Sequence, residues 1–353
     1  MSKIRVLVVD DSPFNRKVIG EILESSPNIE VVGKAYDGED AIRKIVQLAP
    51  DAVTLDLEMP RMDGFAVLRW LMANRPIPVL VVSSRESNRS VFKALDLGAV
   101  DFVVKPSRTA SPRLRALEEE LVSKVLAIPH LHFEKIRDRV AQAPPLPSPE
   151  PLPAAKKGER FAEVVALAAS TGGPPAIQQV LSALPQEMVS PILVCQHMPP
   201  LFTRLFADRL TTLIGRVARE AVDGEALFPG HVYVAPGGSQ LRLKIEDGAR
   251  RLWVSDRGSE DRFAPSANNL FSSMARICGR FCMAVVLTGM GDDGTEGARA
   301  VKLAGGKVVA ESAETAVIYG MPKQVVDANL ADHVVPLGEV AGLIGRYGLA
   351  KEA

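Results

Sequence analysis

The 353-residue sequence predicts two α/β units in tandem. The first rests on a five-stranded parallel sheet, the second on a doubly wound, mostly parallel sheet that carries an antiparallel hairpin. Short apolar runs alternate with amphipathic segments along the chain, the rhythm of strands joined by helical crossovers. Most of those runs are near-continuous Val, Ile and Leu, as strands covered on both faces require. Six prolines crowd PPLPSPEPLP, residues 144–153, between the two halves. Each lacks a donor and fixes its backbone, so this segment is expected to be an extended spacer. The expected division is residues 1–127, a linker over 128–159, and residues 160–353.

In the first half, residues 4–10, 29–35, 52–57, 78–84 and 101–106 read as the five strands, with helical patterns such as Phe14 to Ser25 and Gly64 to Ala73 between them. In the second half, FAEVVALAAS, PILVCQH, HVYVAP, MAVVLTG and KVVAES are strands, with helices over Ala176–Leu184 and Gly294–Ala304. Alternating residues over Gly237–Val254 predict the hairpin. The short amphipathic stretch His130–Arg139 fits either the first unit or the linker.

Composition narrows the function. Hydrophobic residues make up 47% and charged residues 24%, the balance of a globular protein. Lys plus Arg and Asp plus Glu both total 42, so neither nucleic acid nor an anionic membrane is an expected partner. Cys195, Cys278 and Cys282 lie in apolar surroundings; their odd number without zinc-type spacing points to a reducing compartment. Cys278 and Cys282 are four apart but lack a His or acidic partner, which favours packing over metal binding. The N-terminus meets acidic residues too early for a signal peptide, and no apolar run is long enough to span a bilayer, so a cytoplasmic location with no membrane insertion is expected.

In open α/β sheets, functional residues collect beyond the carboxyl ends of the strands. In the first unit, Asp10 and Asp11 end the first strand, Asp56 the third, Ser83 the fourth and Lys105 the fifth. Three converging carboxylates require a shared hard cation, for which Mg²⁺ is the natural choice. Such a site also suits an aspartate that accepts a phosphoryl group, with Lys105 pairing its charge and Ser83 donating to it. Read singly, each acid would be an ordinary helix cap or turn residue.

In the second unit, Ser170 sits at a strand-to-helix junction in ASTGGP. Alone, that turn suits a helix cap or a phosphate site as well as a nucleophile. His197 follows PILVCQ, and the acidic pair Asp292–Asp293 follows MAVVLTGMG, at the same predicted sheet edge. A serine hydroxyl needs an imidazole to take its proton, and the imidazole needs a carboxylate to fix its tautomer. Spacing alone leaves both aspartates open. A nucleotide-binding reading fails for want of GxGxxG or a GK[ST] lysine.

Over roughly residues 3–127 the chain resembles two-component receivers of the flavodoxin-like fold, through DD at 10–11, DLEMPRMDG at 56–64, SS at 83–84 and KP at 105–106. The resemblance implies phosphorylation of Asp56 and Mg²⁺ held by Asp11, Asp56 and the backbone carbonyl of Glu58. Asp10 would act partly through water, with Phe102 as the aromatic switch residue. From about 161 to 348 the chain resembles CheB-type protein-glutamate methylesterases, through ASTGGP, QHMP, VAPGG, LTGMGDDGTEG and YGMPK. That resemblance implies a Ser170–His197–Asp293 triad, an oxyanion hole from the backbone N–H groups of Thr171 and Met290, and no cofactor for the hydrolase. It also implies phosphorylation-regulated demethylation of glutamate esters and deamidation of glutamines on chemoreceptors, for sensory adaptation. The methylated receptors and a chemotaxis-type sensor histidine kinase would be the partners. Ala168, Gln240 and the stretch RFAPSANNLF at 262–271 depart from the family pattern, and the latter two are expected to bear on substrate recognition.

Overall fold

A computed structural model describes residues 3–84, 88–105, 112–141 and 162–348. The proline-rich segment and Pro106 lie outside the described residues. The chain divides into two compact units, Met1–Ala143 and Pro144–Ala353.

The first unit runs β1 (Ile4–Val9), α1 (Pro13–Glu24), β2 (Ile29–Ala35), α2 (Gly38–Leu48), β3 (Ala52–Leu55), α3 (Gly64–Asn74), β4 (Val79–Ser83), α4 (Asn88–Asp96), β5 (Asp101–Val104) and α5 (Pro112–Leu126). All five strands are parallel, in the order β2-β1-β3-β4-β5. The order reverses direction at β1, so the crevice beyond the ends of β1 and β3 is the topological switch point. Ser12, Asp37 and Asp63 cap α1, α2 and α3, each accepting from a backbone N–H of the first turn. Residues 128–141, expected as linker, form a 3₁₀ turn over Ile128–His130 and helix α6 (Phe133–Ala141), with Ile136 buried.

The second unit runs β6 (Val164–Ala169), α7 (Gly173–Ser182), β7 (Ile192–Gln196), α8 (Phe202–Ile214), β8 (Ala218–Glu220), β9 (Val232–Val234), β10 (Ser239–Glu246), β11 (Ala249–Asp256), α9 (Ala267–Cys278), β12 (Cys282–Val286), α10 (Thr295–Leu303), β13 (Lys307–Glu311), α11 (Met321–Asp327), β14 (His333–Val335) and α12 (Leu337–Gly348). Seven strands pair in the order β14-β13-β12-β6-β7-β9-β8, every pair parallel. The hairpin forms as expected, but β10 and β11 make a separate two-stranded sheet joined through Asp247–Gly248. Here the switch point is β6, whose neighbours β7 and β12 lead the chain to opposite sides. Ala166, Ala168, Cys195, Ala284 and Val286 on one sheet face pack against Leu270, Phe271 and Met274 of α9, which fixes the start of α9 above the strand ends.

Candidate active site

Both switch points carry the residues singled out from the sequence. In the first unit, Asp10 and Asp56 are buried, while Asp11 and Glu58 are exposed. Lys105 contacts both buried carboxylates, lying 3.0 Å from Asp10 Oδ2. Asp10 Oδ1 accepts from Ser12 N and Asn15 Nδ2, and Asp56 Oδ1 from Glu58 N. Burial drives the Asp56 pKa up to about 6 against the opposing pull of Lys105, with Asp10 adding repulsion. Carboxylate oxygens of Asp10, Asp11 and Asp56 lie within 4.8 Å of one another, and buried Asp10 Oδ2 has the Lys105 ammonium as its partner. This all-oxygen donor set, with one lysine for two buried acids, fits a hard divalent cation. Ser83 is buried, its hydroxyl donating to Ser84 O, and Phe102 is buried under the Lys124 ammonium.

In the second unit, Ser170 follows β6 and His197 follows β7. The β6–β7 register pairs Ala169 with Gln196, and His197 N donates to Ala169 O at 3.1 Å, which sets the serine and histidine side by side. His197 Nε2 lies 2.8 Å from Asp293 Oδ2. The nitrogen left for the serine is therefore Nδ1. Among the described residues, no hydrogen bond joins the Ser170 hydroxyl to the ring.

Asp293 is 1% exposed. Its Oδ1 accepts from Ser266 Oγ, Asn268 N and Gly294 N at 2.9, 3.0 and 3.1 Å; its Oδ2 accepts from Ala267 N at 2.7 Å besides His197. Ser266 is the N-cap of α9, so the carboxylate occupies the positive end of that helix. Burial acts to raise its pKa, but His197 and the backbone donors outweigh it and hold the carboxyl below its ordinary value. Asp292, the alternative that spacing left open, points outward to an exposed pair with Arg262.

Phe263 stacks on the His197 ring at 4.7 Å and 8°, covering one imidazole face. Phe263 and Ser266 both lie in the stretch 262–271 expected to bear on substrate recognition, but the sequence assigns neither an individual role; the N-cap pattern of Ser266 is the available signal. Gln240 is fully buried, donating to Phe263 O at 2.7 Å and accepting from Ser266 N at 3.0 Å. It was expected to bear on substrate recognition, yet it makes no surface; it shapes the loop that carries Phe263 and Ser266.

Of the two residues expected at the oxyanion hole, Thr171 follows Ser170 in sequence and Met290 follows Gly289, which packs against the serine. Gly289 packs so closely that a Cβ there would stand 2.8 Å from Ser170 Cβ, which brings Met290 to the serine. Thr171 is buried behind it. The three cysteines are free and buried; burial pushes Cys278 up to about 11 and Cys282 to about 12, which makes them inert packing groups.

Comparison with known proteins follows the same division. Residues 165–344 match the CheB methylesterase family model, and residues 6–116 match the response regulator receiver domain. A Geobacter sulfurreducens protein named protein-glutamate methylesterase/protein-glutamine glutaminase 3 is 43% identical over 369 residues, with both chains covered completely. A Myxococcus xanthus protein of the same name, numbered 1, is 46% identical, covering 96% of this chain and 95% of its own. The crystal structure of the Thermotoga maritima CheB methylesterase catalytic domain aligns with a TM-score of 0.50 at 39% identity, covering 52% of this chain and 97% of that one. On fold, site and sequence together, the chain belongs to the CheB methylesterase family and carries the receiver domain of a response regulator.

Proposed function

We propose that the chain hydrolyses γ-methyl esters of glutamate on chemoreceptors, releasing methanol, and deamidates glutamine at the same site. The observation that supports this reading is the 2.8 Å His197–Asp293 pair, with His197 following the strand that neighbours the one before Ser170. Asp293 holds the imidazole with its proton on Nε2, so Nδ1 takes the Ser170 proton as the hydroxyl attacks the ester carbonyl. The oxyanion is held by the N–H groups of Thr171 and Met290. Imidazolium returns the proton to the departing methoxide, and water, deprotonated by the same nitrogen, releases the acyl group as glutamate.

In the receiver, Asp56 takes a phosphoryl group from a chemotaxis-type histidine kinase, with Lys105 and Ser83 pairing its oxygens. Mg²⁺ would be held by Asp11, Asp56 and the Glu58 carbonyl, with Asp10 acting partly through water; bound there, it neutralises charge on the incoming phosphoryl group. Even with its pKa raised to about 6, Asp56 is mostly ionised at pH 7. Among the described residues no helix is long and apolar enough to cross a membrane, which fits a cytoplasmic enzyme acting on the receptors' inner portions.

The test is methanol release from methylated receptor, with and without a small phosphodonor and Mg²⁺. Release that rises with phosphodonor and vanishes in Ser170→Ala supports both halves. Release insensitive to phosphodonor removes phosphorylation control of the hydrolase, and no release under either condition favours a non-enzymatic reading, a phosphorylation-controlled module that docks on receptors.

A further inference from the structure

Gln196 has no assigned role, yet it touches both residues that flank it in the site. It is 2% exposed, and its Nε2 donates to Ser170 O at 2.9 Å and to His197 O at 3.0 Å. Its Oε1 is buried and accepts no hydrogen bond. The opposite amide orientation would place Oε1 against two carbonyl oxygens, so the orientation is dictated by the main chain. An unpartnered buried acceptor is costly, and its retention calls for a reason outside stability.

The Ser170 carbonyl supplies that reason. It accepts from Gly173 N at 2.8 Å as well as from Gln196. A trans peptide is planar, with N–H antiparallel to C=O, so fixing the Ser170 oxygen fixes the direction of the Thr171 N–H. The other oxyanion donor is built the same way: Gly289 O accepts from Met321 N at 2.8 Å, which sets the Met290 N–H. Gly173 makes room for the device, since a Cβ there would run into Gln196 Oε1 and lie 2.7 Å from Ala169 Cβ.

We infer that Gln196 is a positioning residue that aims the Thr171 N–H at the oxyanion and holds Ser170 and His197 in step as their strands part. The inference rests on the triad reading above. Its contribution appears only as negative charge develops on the carbonyl oxygen, so it belongs to kcat and not to substrate affinity.

The experiment compares full-length wild type, Ser170→Ala, Gln196→Met and Gly173→Ala. Each is assayed for methanol release over a range of methylated-receptor concentrations and for the rate of Ser170 phosphonylation by a fluorophosphonate. Methionine fills the same volume without either donor or the orphaned acceptor, so the melting temperature is expected to stay within a few degrees. The expected result for Gln196→Met is a kcat about 10²-fold lower with KM within two-fold, and a parallel drop in phosphonylation rate. Gly173→Ala should give the same kinetic signature from the other side of the contact. A Gln196→Met enzyme with wild-type kcat overturns the inference while leaving the triad intact. A loss confined to melting temperature or KM also overturns it. Inactive wild type, or active Ser170→Ala, instead overturns the underlying reading.

Discussion

Asp293→Asn is the most informative single change, because the five hydrogen bonds to the carboxylate dictate its outcome. An asparagine must put its NH₂ group on one side. On the Oδ1 side it would face Ser266 Oγ, Asn268 N and Gly294 N; on the Oδ2 side it would face Ala267 N and His197. Ser266 can turn its hydroxyl and His197 can change tautomer, but the Oδ1 side keeps two backbone N–H donors against one on the Oδ2 side, so the amide takes the Oδ2 side. Two consequences follow. Ala267 N–H is left buried against another donor, at about 1–3 kcal/mol; near 2 kcal/mol, that lowers the melting temperature of the second unit by roughly 4–8 °C. More severely, the imidazole proton moves to Nδ1, the nitrogen that must accept from Ser170. A wrong tautomer costs a serine triad about 10⁴-fold, or about 5.5 kcal/mol of barrier. The assay is methanol release measured well below the melting temperature, alongside Ser266→Ala. That control removes one of the five bonds and the α9 cap bond to Asn269 N but leaves the tautomer alone, and should cost about 1–3 kcal/mol of stability and less than about ten-fold in rate. If Asp293→Asn stays within ten-fold of wild type, or loses no more rate than Ser266→Ala, the carboxylate is only a helix cap and the tautomer argument fails.

Asp56 gives a prediction with the opposite sign from most carboxylates. Its folded pKa of about 6 lies above the ordinary 3.8, so the folded receiver holds a proton that the unfolded chain releases. Receiver stability should fall as pH rises from about 4 to about 6 and level off above. Asp56→Asn should raise its melting temperature at pH 7.5, and Mg²⁺ should stabilise the wild type more at pH 7.5 than at pH 5; pH-independent melts would refute the assignment. Asp293 runs the other way: its depressed pKa stabilises above the ordinary carboxylate range, and that stabilisation is lost as pH falls below about 4, read as acid unfolding of the second unit. Asp292→Asn removes only an exposed pair with Arg262 and should leave kcat within two-fold. Gly289→Ala would place a Cβ 2.8 Å from Ser170 Cβ and 2.5 Å from Met321 Sδ, so methanol release should drop by about 10²-fold or more.

Strands covered on both faces announce themselves by composition, which is why β1, β3, β4, β6, β7 and β12 were legible. The three-residue strands β8 and β14 were not, because ARE and HVV carry no periodicity at that length. Residues at strand ends were legible as candidates, since topology alone gathers Asp10, Asp56 and Lys105, or Ser170 and His197. Choosing Asp293 over Asp292 needed family resemblance, because only the packed α9 turns one inward. The roles of Phe263, Gln240 and Gln196 depend on contacts between segments distant in sequence or on one amide's orientation, and no local pattern encodes either.

Both parallel sheets are open, and among the described residues each has two unpaired rims where another chain can add a strand; the separate β10–β11 hairpin has eight-residue strands, of which β11 carries Arg250 and Arg251. In the second unit both rims, β8 and β14, are only three residues long, against six for the central β6. In the first unit one rim, β5, has four residues, and the seven-residue rim β2 carries exposed Glu30 and Lys34. Short or charged rims give an incoming strand too few bonds to hold. When this protein is concentrated, self-association should therefore run through side-chain surfaces. It should leave amyloid-binding dyes dark, even though most of its sheet is made of the Val- and Ile-rich segments that zip readily once unfolded.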